Sequence, residues 1–377
     1  MKRALLITDI FPPDIGGPAT FIDRLGWSLS DRGVSVTVVC ATPLDSGSTD
    51  AERPFRVHRV PGRGRTGFGL RLRCALARHM LGQRHILVNG LESYAWTAAR
   101  ITGRKYVIKV VGDSLWETAR NSGRTPLSID DFQIHAPRDH QTAWRDRGHW
   151  LARARAVITP CQYLVDLVKA WGADDARVHV VYNGVPQNHS DTPGDVARRT
   201  TEPLRLVFCG RLTNWKGVDT LLLALRDLEG VHLDVIGDGP EFPMLRAISN
   251  QLGLDERVVW HGRLDQDRLA DTLSAGHVAV LISGYEGLSH ALLESAHHGL
   301  VPIASHCGGN PEWIQDGHNG MLVPFSDVEA LRDAIKTLHS NEDLRYRLAR
   351  EAQRTAQQFD FERTVSQTIQ ILQAGDM

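Results

Sequence analysis

Short runs rich in valine, isoleucine and leucine alternate with longer helical patterns along almost the whole chain. This alternation is typical of strands that are buried in a parallel sheet, with a helix crossing from each strand to the next. The first group of runs covers residues 4–8, 34–41, 56–60, 86–89, 107–111, 156–160 and 178–182. The second group covers residues 204–209, 232–236, 258–261, 278–282 and 301–304. We therefore predict an α/β protein with two doubly wound parallel sheets.

A polar, proline-bearing stretch separates the two groups of strands, and 377 residues are enough for two domains that each bury a core. We predict a first domain over 1–185, a linker over 186–203 and a second domain over 204–355. The helical segment 356–377 is expected to pack back on the first domain. Open sheets of this type bind ligands beyond the carboxyl ends of their strands, so we expect the ligand between the two domains.

Bulk composition indicates a globular protein of the cytoplasm. Hydrophobic residues make up 42% of the chain and charged residues 23%, which argues against a disordered or fibrous protein. The first apolar stretch, 4–10, contains Asp9 and precedes Pro12-Pro13, so it is typical of a strand rather than of a signal peptide. The five cysteines form no Cys-x-x-Cys pair, which argues against a disulfide framework or a zinc site.

Charge is divided unevenly along the chain. Residues 1–185 hold 26 Lys and Arg against 17 Asp and Glu, whereas the remainder holds 17 against 27. The segment 53–84 contains nine arginines and no acid. A helix predicted over 68–81 has Phe68, Leu72, Leu76 and Met80 on one stripe, so the segment is suited to peripheral contact with an anionic membrane at its inner face. A core-facing helix with a solvated arginine face explains the pattern nearly as well. Nucleic acid is not expected, because the segment has no series of aromatic residues.

Glu286 and Glu294 stand eight positions apart, after the predicted strand 278–282 and around the start of a helix predicted over 289–298. At ~1.5 Å per helical residue they would be separated by roughly 12 Å, too far to flank one scissile bond as paired carboxylates do. They would fit the two ends of an elongated, hydroxylated ligand such as a nucleotide sugar. The alternative is a solvated helix face.

Two strand-to-helix junctions carry groups that suit phosphates. Gly16-Gly17 follows the first strand, where exposed backbone N–H groups and a helix N-terminus would attract an anion. Arg211 and Lys216 follow the first strand of the second domain, and two cations there suit a diphosphate. The Gly16-Gly17 loop lacks the Gly-x-Gly-x-x-Gly pattern and Gly237-Asp238-Gly239-Pro240 stops after two glycines, which argues against a dinucleotide-dependent dehydrogenase. A simple tight turn remains the alternative for Gly16-Gly17.

Taken in order, these motifs resemble those of the retaining glycosyltransferases of family four, over nearly the whole chain. The matching motifs are Gly16-Gly17, Gly210-Arg211, Lys216-Gly217, Gly237-Asp238-Gly239-Pro240, His261-Gly262, Glu286-x7-Glu294 and Gly308-Gly309-Asn310-Pro311-Glu312. The resemblance implies the GT-B fold, in which two Rossmann-like domains close on a nucleotide-sugar donor. It also implies transfer of a hexose without a metal or other cofactor, through same-face attack in which the departing phosphate assists deprotonation of the acceptor hydroxyl.

The resemblance also assigns roles to individual residues. It implies that Glu286 holds hydroxyls of the donor sugar and that Glu294 holds the ribose. It implies further that Arg211 and Lys216 clamp the diphosphate, which the first domain meets through Gly16 and Gly17. The remaining donor contacts that it implies are His261, Gly262 and Arg263 at the base, and Gly287, Leu288 and Ser289 after Glu286.

The chain departs from the family pattern at two places. Gly112-Asp113 stands where many relatives have His-Asp, and we expect Asp113 to take part of that histidine's role. Ser289-His290 replaces a glycine-containing turn, and Ser289 is alternatively the N-cap of the following helix. The nearby Trp116 and Glu117 are candidates for the acceptor side, with a core position as the alternative for Trp116.

We expect the acceptor to be a glycan or a lipid-linked molecule, bound by the basic first domain. Two other functions remain open for this chain. One is a catalytically silent GT-B subunit that binds a nucleotide and supports a partner enzyme. The other is a nucleotide-sugar epimerase.

Overall fold

The computed structural model describes residues 1–14, 16–42, 50–62, 64–185 and 203–374. The chain forms two compact units. The first comprises Met1–Asp113, Gln133–Tyr182 and Arg363–Met377, and the second comprises Ser114–Phe132 and Asn183–Glu362. All but the last residue of the predicted linker 186–203 lies outside the described residues, as does Arg63 of the arginine-rich segment.

The first unit contains a seven-stranded sheet in which all neighbouring strands run parallel. Its strands are β1 (Arg3–Thr8), β2 (Ser35–Cys40), β3 (Arg56–Arg59), β4 (Ile86–Asn89), β5 (Tyr106–Lys109), β6 (Ala154–Thr159) and β7 (Val178–Val180). Their spatial order is β3-β2-β1-β4-β5-β6-β7, so the order reverses between β1 and β4. The helices before residue 203 are α1 (Gly17–Asp31), α2 (Phe68–Met80), α3 (Glu92–Thr102), α4 (Ser114–Asn121), α5 (Ile129–Asp139), α6 (Gln141–Arg153) and α7 (Gln162–Ala170).

The second unit contains a six-stranded parallel sheet. Its strands are β8 (Leu204–Cys209), β9 (Val231–Ile236), β10 (Val258–Gly262), β11 (Val278–Leu281), β12 (Val301–Ser305) and β13 (Met321–Val323). Their order is β10-β9-β8-β11-β12-β13, which reverses between β8 and β11. The helices after residue 203 are α8 (Val218–Leu225), α9 (Phe242–Gln251), α10 (Gln266–Ala275), α11 (His290–His297), α12 (Val328–Ser340), α13 (Glu342–Ala356) and α14 (Phe361–Gln373).

The predicted fold class is confirmed, because every predicted apolar run forms a strand of one of the two parallel sheets. The central strands β4, β5 and β11 are buried at every residue, which explains why they are apolar except for Asn89 and Lys109 at the ends of β4 and β5. The prediction omitted β13, which has only three residues and is partly exposed.

The chain returns to the first unit at its end. From Arg363 onward, α14 belongs to that unit. Thr364 Oγ1 donates to the Tyr182 carbonyl at 2.8 Å, and His85 Nδ1 lies 2.7 Å from the Leu372 carbonyl. Val365 and Leu372 are fully buried, so the helix completes the core of the unit that the chain had left.

The predicted apolar stripe of α2 faces the core, since Phe68, Leu72, Leu76 and Met80 are all buried. The alternative interpretation, a core-facing helix with a solvated arginine face, therefore describes this helix. Its outer face exposes Arg71, Cys74 and Arg78, together with Leu70, which is 67% exposed. In the described part of the chain, no helix combines the length and the apolar character that crossing a membrane requires.

Part of the arginine-rich segment serves the first unit internally. Arg53 Nε lies 2.8 Å from an Asp23 carboxylate oxygen, and Arg59 Nε lies 2.7 Å from one of Asp50. Both guanidinium groups also lie over the ring of Phe11, at 5.0 and 5.5 Å from its centroid. These two charges are therefore balanced within the unit rather than offered to a ligand.

Lys109 ends the central strand β5 and is only 1% exposed. Its ammonium group lies 4.0 Å from the centroid of the Phe21 ring. Burial lowers the pKa of Lys109 to about 7, because the charged form loses its hydration. The folded chain therefore releases this proton at a lower pH than the unfolded chain does.

We predict that replacing this lysine by methionine changes how stability depends on pH. The buried charge destabilises the folded protein fully below about pH 7, and this destabilisation disappears above the unfolded lysine pKa of ~10.4. The free energy of unfolding of the wild type should therefore rise by on the order of 2 kcal/mol between pH 7 and pH 9. Lys109→Met should lack that gain. Urea unfolding of both proteins at the two pH values measures it, and parallel stability curves would contradict the prediction.

Candidate functional site

The loops that follow β8 and β11 leave the second sheet side by side. The two strands pair in parallel, with Leu206 opposite Val278 and Val207 opposite Ala279. From β8 the chain continues to β9 on one side, whereas β11 and β12 lie on the other side. This is the topological switch point, where loops diverge and leave a crevice that binds ligands in open α/β sheets.

Lys216 and Glu286 meet across this switch point. Lys216 Nζ donates to Glu286 Oε1 at 2.5 Å, and their side chains are 18% and 12% exposed. A charge-assisted hydrogen bond in such a partly buried place is stronger than one on an open surface. The backbones of the same loops are also joined, because Gly284 N donates to the Trp215 carbonyl at 2.7 Å.

Two glycines allow the loops to approach this closely. Gly217 has a left-handed backbone, with φ of 69°, and a Cβ at this position would lie 1.9 Å from the Ile282 carbonyl oxygen. Gly308 is also left-handed, and a Cβ there would lie 2.0 Å from the Glu286 carbonyl oxygen. That oxygen accepts from Gly309 N at 2.9 Å, so the loop after β12 fixes the backbone of Glu286.

Glu294 lies on α11, but Glu286 lies in the loop before it. The helix begins at His290, with Ser289 as its N-cap, whose side chain accepts from Leu292 N at 3.3 Å. The expected separation of roughly 12 Å assumed that both glutamates were on one helix. That assumption was wrong, because the backbone between Glu286 and Ser289 is not helical.

The thiol of Cys209, at the end of β8, responds to charges of this site. Its pKa is raised to about 12, mainly by burial and also by the Glu294 carboxylate, while the Lys216 ammonium acts to lower it. The interactions show that Glu294 and Lys216 both lie near the carboxyl end of β8. The second unit thus brings Lys216, Glu286 and Glu294 into one neighbourhood.

Arg211 is exposed in the loop after β8. The backbone around it is held by the loop after β9, since Leu212 N donates to the Asp238 carbonyl at 3.1 Å. Asp238 also carries a long ion pair, with its carboxylate 3.6 Å from Arg263 Nε, and both side chains are more than half exposed.

His261 is the second-last residue of β10, and its ring is fixed to the neighbouring strand. Its Nε2 lies 2.6 Å from Asp234 Oδ1 on β9. The carbonyl of Gly262 accepts from Gly237 N at 2.8 Å. These contacts hold the His261-Gly262-Arg263 segment at the same carboxyl edge of the sheet as Lys216.

The remaining residues after Glu286 have mainly structural positions. Gly287 is buried, and Leu288 is 4% exposed. The Leu288 carbonyl accepts from Asn183 Nδ2 at 3.3 Å. Ser289 caps α11, as the alternative interpretation of this residue had it.

Gly16 and Gly17 lie at the switch point of the first sheet, after β1. Gly16 is the N-cap of α1, which begins at Gly17, and its carbonyl accepts from Thr20 N at 3.1 Å. Ile15, which precedes the pair, lies outside the described residues.

Asp113 does not have the open position that a sugar contact requires. Its side chain is fully buried, Arg147 Nη2 donates to one carboxylate oxygen, and Gln133 Nε2 donates to the other at 2.9 Å. Gln133 is in turn fixed by Trp171 Nε1, which donates to its Oε1 at 2.9 Å. The expected catalytic role is corrected accordingly, because both oxygens of Asp113 serve a buried network of the first unit.

Trp116 also differs from the expectation, since it is 1% exposed and offers no face to an acceptor sugar. It lies on α4, which belongs to the second unit, and its ring contacts those of Trp215 and Tyr285. Its neighbour Glu117 is half-buried. This aromatic cluster is not evident from the sequence, although an aromatic residue immediately precedes both Lys216 and Glu286.

We predict that an alanine at Gly217, where the two loops approach closely, reduces the free energy of unfolding far more than an alanine at another left-handed glycine of the same unit. Gly253 has φ of 66°, and a Cβ there would meet nothing within 4 Å. Gly253→Ala should cost ~1 kcal/mol of stability, whereas Gly217→Ala should cost on the order of 3 kcal/mol because the Ile282 carbonyl must move. Urea unfolding compares the two, and equal losses would count against the loop geometry.

Family models match both halves of the chain. The model described as Glycosyltransferase Family 4 matches residues 15–189. The model described as Glycosyl transferases group 1 matches residues 195–355, which include all of the groups at the second switch point.

Two curated relatives illustrate the similarity. The D-inositol 3-phosphate glycosyltransferase of Mycobacteroides abscessus is 32% identical over 358 residues, which cover 86% of this chain and 77% of that protein. The lipopolysaccharide core biosynthesis glycosyltransferase LpsE of Rhizobium meliloti is 34% identical over 184 residues, which cover 48% of this chain and 51% of that protein. The match thus spans about half the length of the first curated relatives.

Among solved structures, Anabaena Alr3699/HepE in complex with UDP and glucose is similar to this chain with a TM-score of 0.79. The likeness covers 99% of this chain and 100% of that one, at 19% sequence identity. At this level of identity the likeness shows the fold alone. With its two parallel α/β sheets, this fold is GT-B.

Proposed function

The chain belongs to glycosyltransferase family four, and on that premise we propose that it transfers a hexose from a nucleoside-diphosphate sugar to a hydroxyl group. The observation that carries the proposal is the Lys216–Glu286 pair at the second switch point, with Glu294 near it. A cation and two carboxylates in one crevice match a ligand that has a diphosphate between two hydroxylated rings. The structure of a relative with UDP and glucose supports such a donor.

In this proposal Lys216 exchanges partners when the donor binds. Its ammonium turns from Glu286 to the diphosphate, where it stabilises the negative charge that grows as the sugar–phosphate bond breaks. Arg211, exposed on the same loop, adds a planar pair of donors to the phosphate oxygens. The carboxylate of Glu286 is then released to accept hydrogen bonds from hydroxyls of the donor sugar.

The nucleoside end of the donor is assigned to the far side of the crevice. Glu294 would accept hydrogen bonds from the two ribose hydroxyls. His261, Gly262 and Arg263 would border the base, and the contact between His261 and Asp234 supports this role because it keeps the segment in a fixed place.

We propose a retaining reaction that proceeds on one face of the sugar. The acceptor hydroxyl attacks the anomeric carbon from the side that the diphosphate leaves, and its proton passes to a departing phosphate oxygen. This route requires no nucleophile from the protein, and Lys216 and Arg211 would neutralise the diphosphate without a metal ion. Measuring the anomeric configuration of the product by NMR tests the stereochemistry.

For the acceptor we propose a glycan or a lipid-linked molecule. The names of two relatives, which refer to lipopolysaccharide core and to inositol phosphate, support a hydroxylated acceptor near anionic groups. An acceptor panel should therefore include a lipopolysaccharide core oligosaccharide, an inositol phosphate and a neutral disaccharide.

We predict that one of UDP, GDP and ADP stabilises the protein selectively. A ligand at a hundred times its dissociation constant adds ~2.7 kcal/mol to the unfolding free energy, which is measured as a rise in Tm. Glu294→Gln should lose most of that gain. Glu256→Gln, a change at an exposed glutamate of the same unit, should keep it.

Each outcome of this experiment bears on a separate assignment. If Glu294→Gln is stabilised as strongly as the control, the ribose assignment is wrong. If none of the three diphosphates stabilises the wild type at millimolar concentration, the donor site itself is contradicted and a catalytically silent subunit becomes the better account.

We further propose that the exposed face of α2 contacts anionic lipid through Arg71 and Arg78, with Leu70 beside them. Each arginine near a negatively charged surface contributes about 1 kcal/mol. Arg71→Gln with Arg78→Gln should therefore reduce co-sedimentation with phosphatidylglycerol vesicles at low salt. The control changes two exposed arginines of the second unit, Arg246→Gln with Arg268→Gln, and has the same net charge.

The lipid proposal predicts that the control binds these vesicles as the wild type does. Equal and weak sedimentation of the wild type with phosphatidylglycerol and with neutral phosphatidylcholine would contradict it. The donor site would be unaffected by that result.

A further inference from the structure

The segment Ser114–Phe132 belongs to the second unit, although the stretches on both sides of it belong to the first. It comprises α4, the loop after it and the first residues of α5. Its role is not evident from the fold, because the second sheet is complete without it.

The segment inserts one large side chain into the second unit. Trp116 is 1% exposed and is among the largest fully buried side chains. Its ring centroid lies 5.6 Å from that of Trp215, in a tilted arrangement, and 6.0 Å from that of Tyr285, edge to face. Both geometries are favourable for aromatic pairs.

The two rings that Trp116 contacts stand beside the charged pair of the site. Trp215 immediately precedes Lys216, and Tyr285 immediately precedes Glu286. The Trp215 carbonyl also accepts the hydrogen bond from Gly284 that joins the two loops. Trp116 is thus one side chain that contacts both loops next to the residues that carry their charges.

The indole of Trp116 is itself held in place by its own segment. Its Nε1 donates to the Leu127 carbonyl at 3.1 Å. The Arg120 guanidinium lies 6.0 Å from the ring centroid, and Arg120 Nη1 donates to the Pro126 carbonyl at 2.8 Å. Asn214 Nδ2, in the loop before Trp215, donates to the Arg120 carbonyl at 2.9 Å.

We propose that Trp116 is a positioning residue for the Lys216–Glu286 pair. The inference rests on the proposed function, since it assumes that this pair acts on the donor. A rigid ring in contact with Trp215 and Tyr285 fixes the two loops at the separation that the pair requires. A shift of about 1 Å in such groups reduces turnover strongly, even when the substrate still binds.

The proposal predicts a separation of turnover from binding. Arg211 and Glu294 are not in the aromatic cluster, and a displaced Lys216 keeps its charge, so truncation of Trp116 should weaken diphosphate binding far less than removal of the Lys216 ammonium does. Trp116→Leu should therefore lower kcat at least tenfold, while the donor KM and the Kd of the nucleoside diphosphate change less than about threefold. Trp116→Phe keeps an aromatic ring and should retain most of the turnover.

A matched control separates positioning from general loss of packing. Trp313 is also in the second unit, is 4% exposed and packs edge to face with Phe359, with ring centroids 6.4 Å apart. Trp313→Leu removes a buried indole of the same size from another part of the unit. It should lose stability to a similar degree as Trp116→Leu but keep its kcat at a temperature where both variants are folded.

The experiment measures sugar transfer by the full-length wild type, Trp116→Leu, Trp116→Phe and Trp313→Leu, with the donor that the wild type uses best. Equal kcat for Trp116→Leu and the wild type would overturn the positioning role and leave the proposed function intact. A parallel loss of kcat in Trp313→Leu would overturn it as well. If the wild type transfers no sugar from any donor, the proposed function fails and the inference fails with it.

Where Trp116→Leu does not fold, Tyr285→Leu provides the second test, because it removes one of the two rings that Trp116 contacts. It should show the same loss of kcat with little change in the Kd of the nucleoside diphosphate. Turnover equal to that of the wild type would contradict the proposal.

Discussion

The ion pair between Lys216 and Glu286 joins the two loops that diverge from the switch point of the second sheet, and much of that unit is arranged to hold it. Two charges that are mostly buried require each other, since either alone would be left without compensation. Their meeting depends on Gly217 and Gly308, where a side chain would collide with the facing backbone. A ligand that takes one partner of this pair necessarily releases the other, and that exchange is the physical basis of the proposed donor site.

The fold was largely predictable from the sequence because of how parallel sheets bury their strands. A strand such as β11 is covered on both faces, so every residue is apolar and the run is visible without any periodicity. The strand β13 was missed because three residues give no such run. The apolar stripe of α2 was predicted at the correct positions, but the spacing alone did not distinguish a core from a membrane.

The motifs of the site were predictable because they follow strands directly, and carboxyl ends of parallel strands meet at one edge of a sheet. Contacts between segments that are distant in the sequence were not predictable. Asp113 accepts a hydrogen bond from Arg147, which lies 34 positions later, and no local sequence pattern predicts that pair. Trp116 lies in a segment that belongs to the other unit, so its neighbours Trp215 and Tyr285 are known only from the structure. The assumption that one helix carries both Glu286 and Glu294 was wrong, because the helix begins only at His290.

Lys216 is proposed to leave Glu286 and to bind the diphosphate of the donor, and titration calorimetry of the preferred nucleoside diphosphate tests this exchange. Lys216→Met should weaken binding at least tenfold, the loss expected for a hydrogen bond to a charged group of about 1.5–3 kcal/mol. Glu286→Gln should bind the diphosphate as tightly as the wild type or more tightly, because the competing carboxylate is gone. An unchanged Kd for Lys216→Met, or an equal weakening in both variants, would contradict the account.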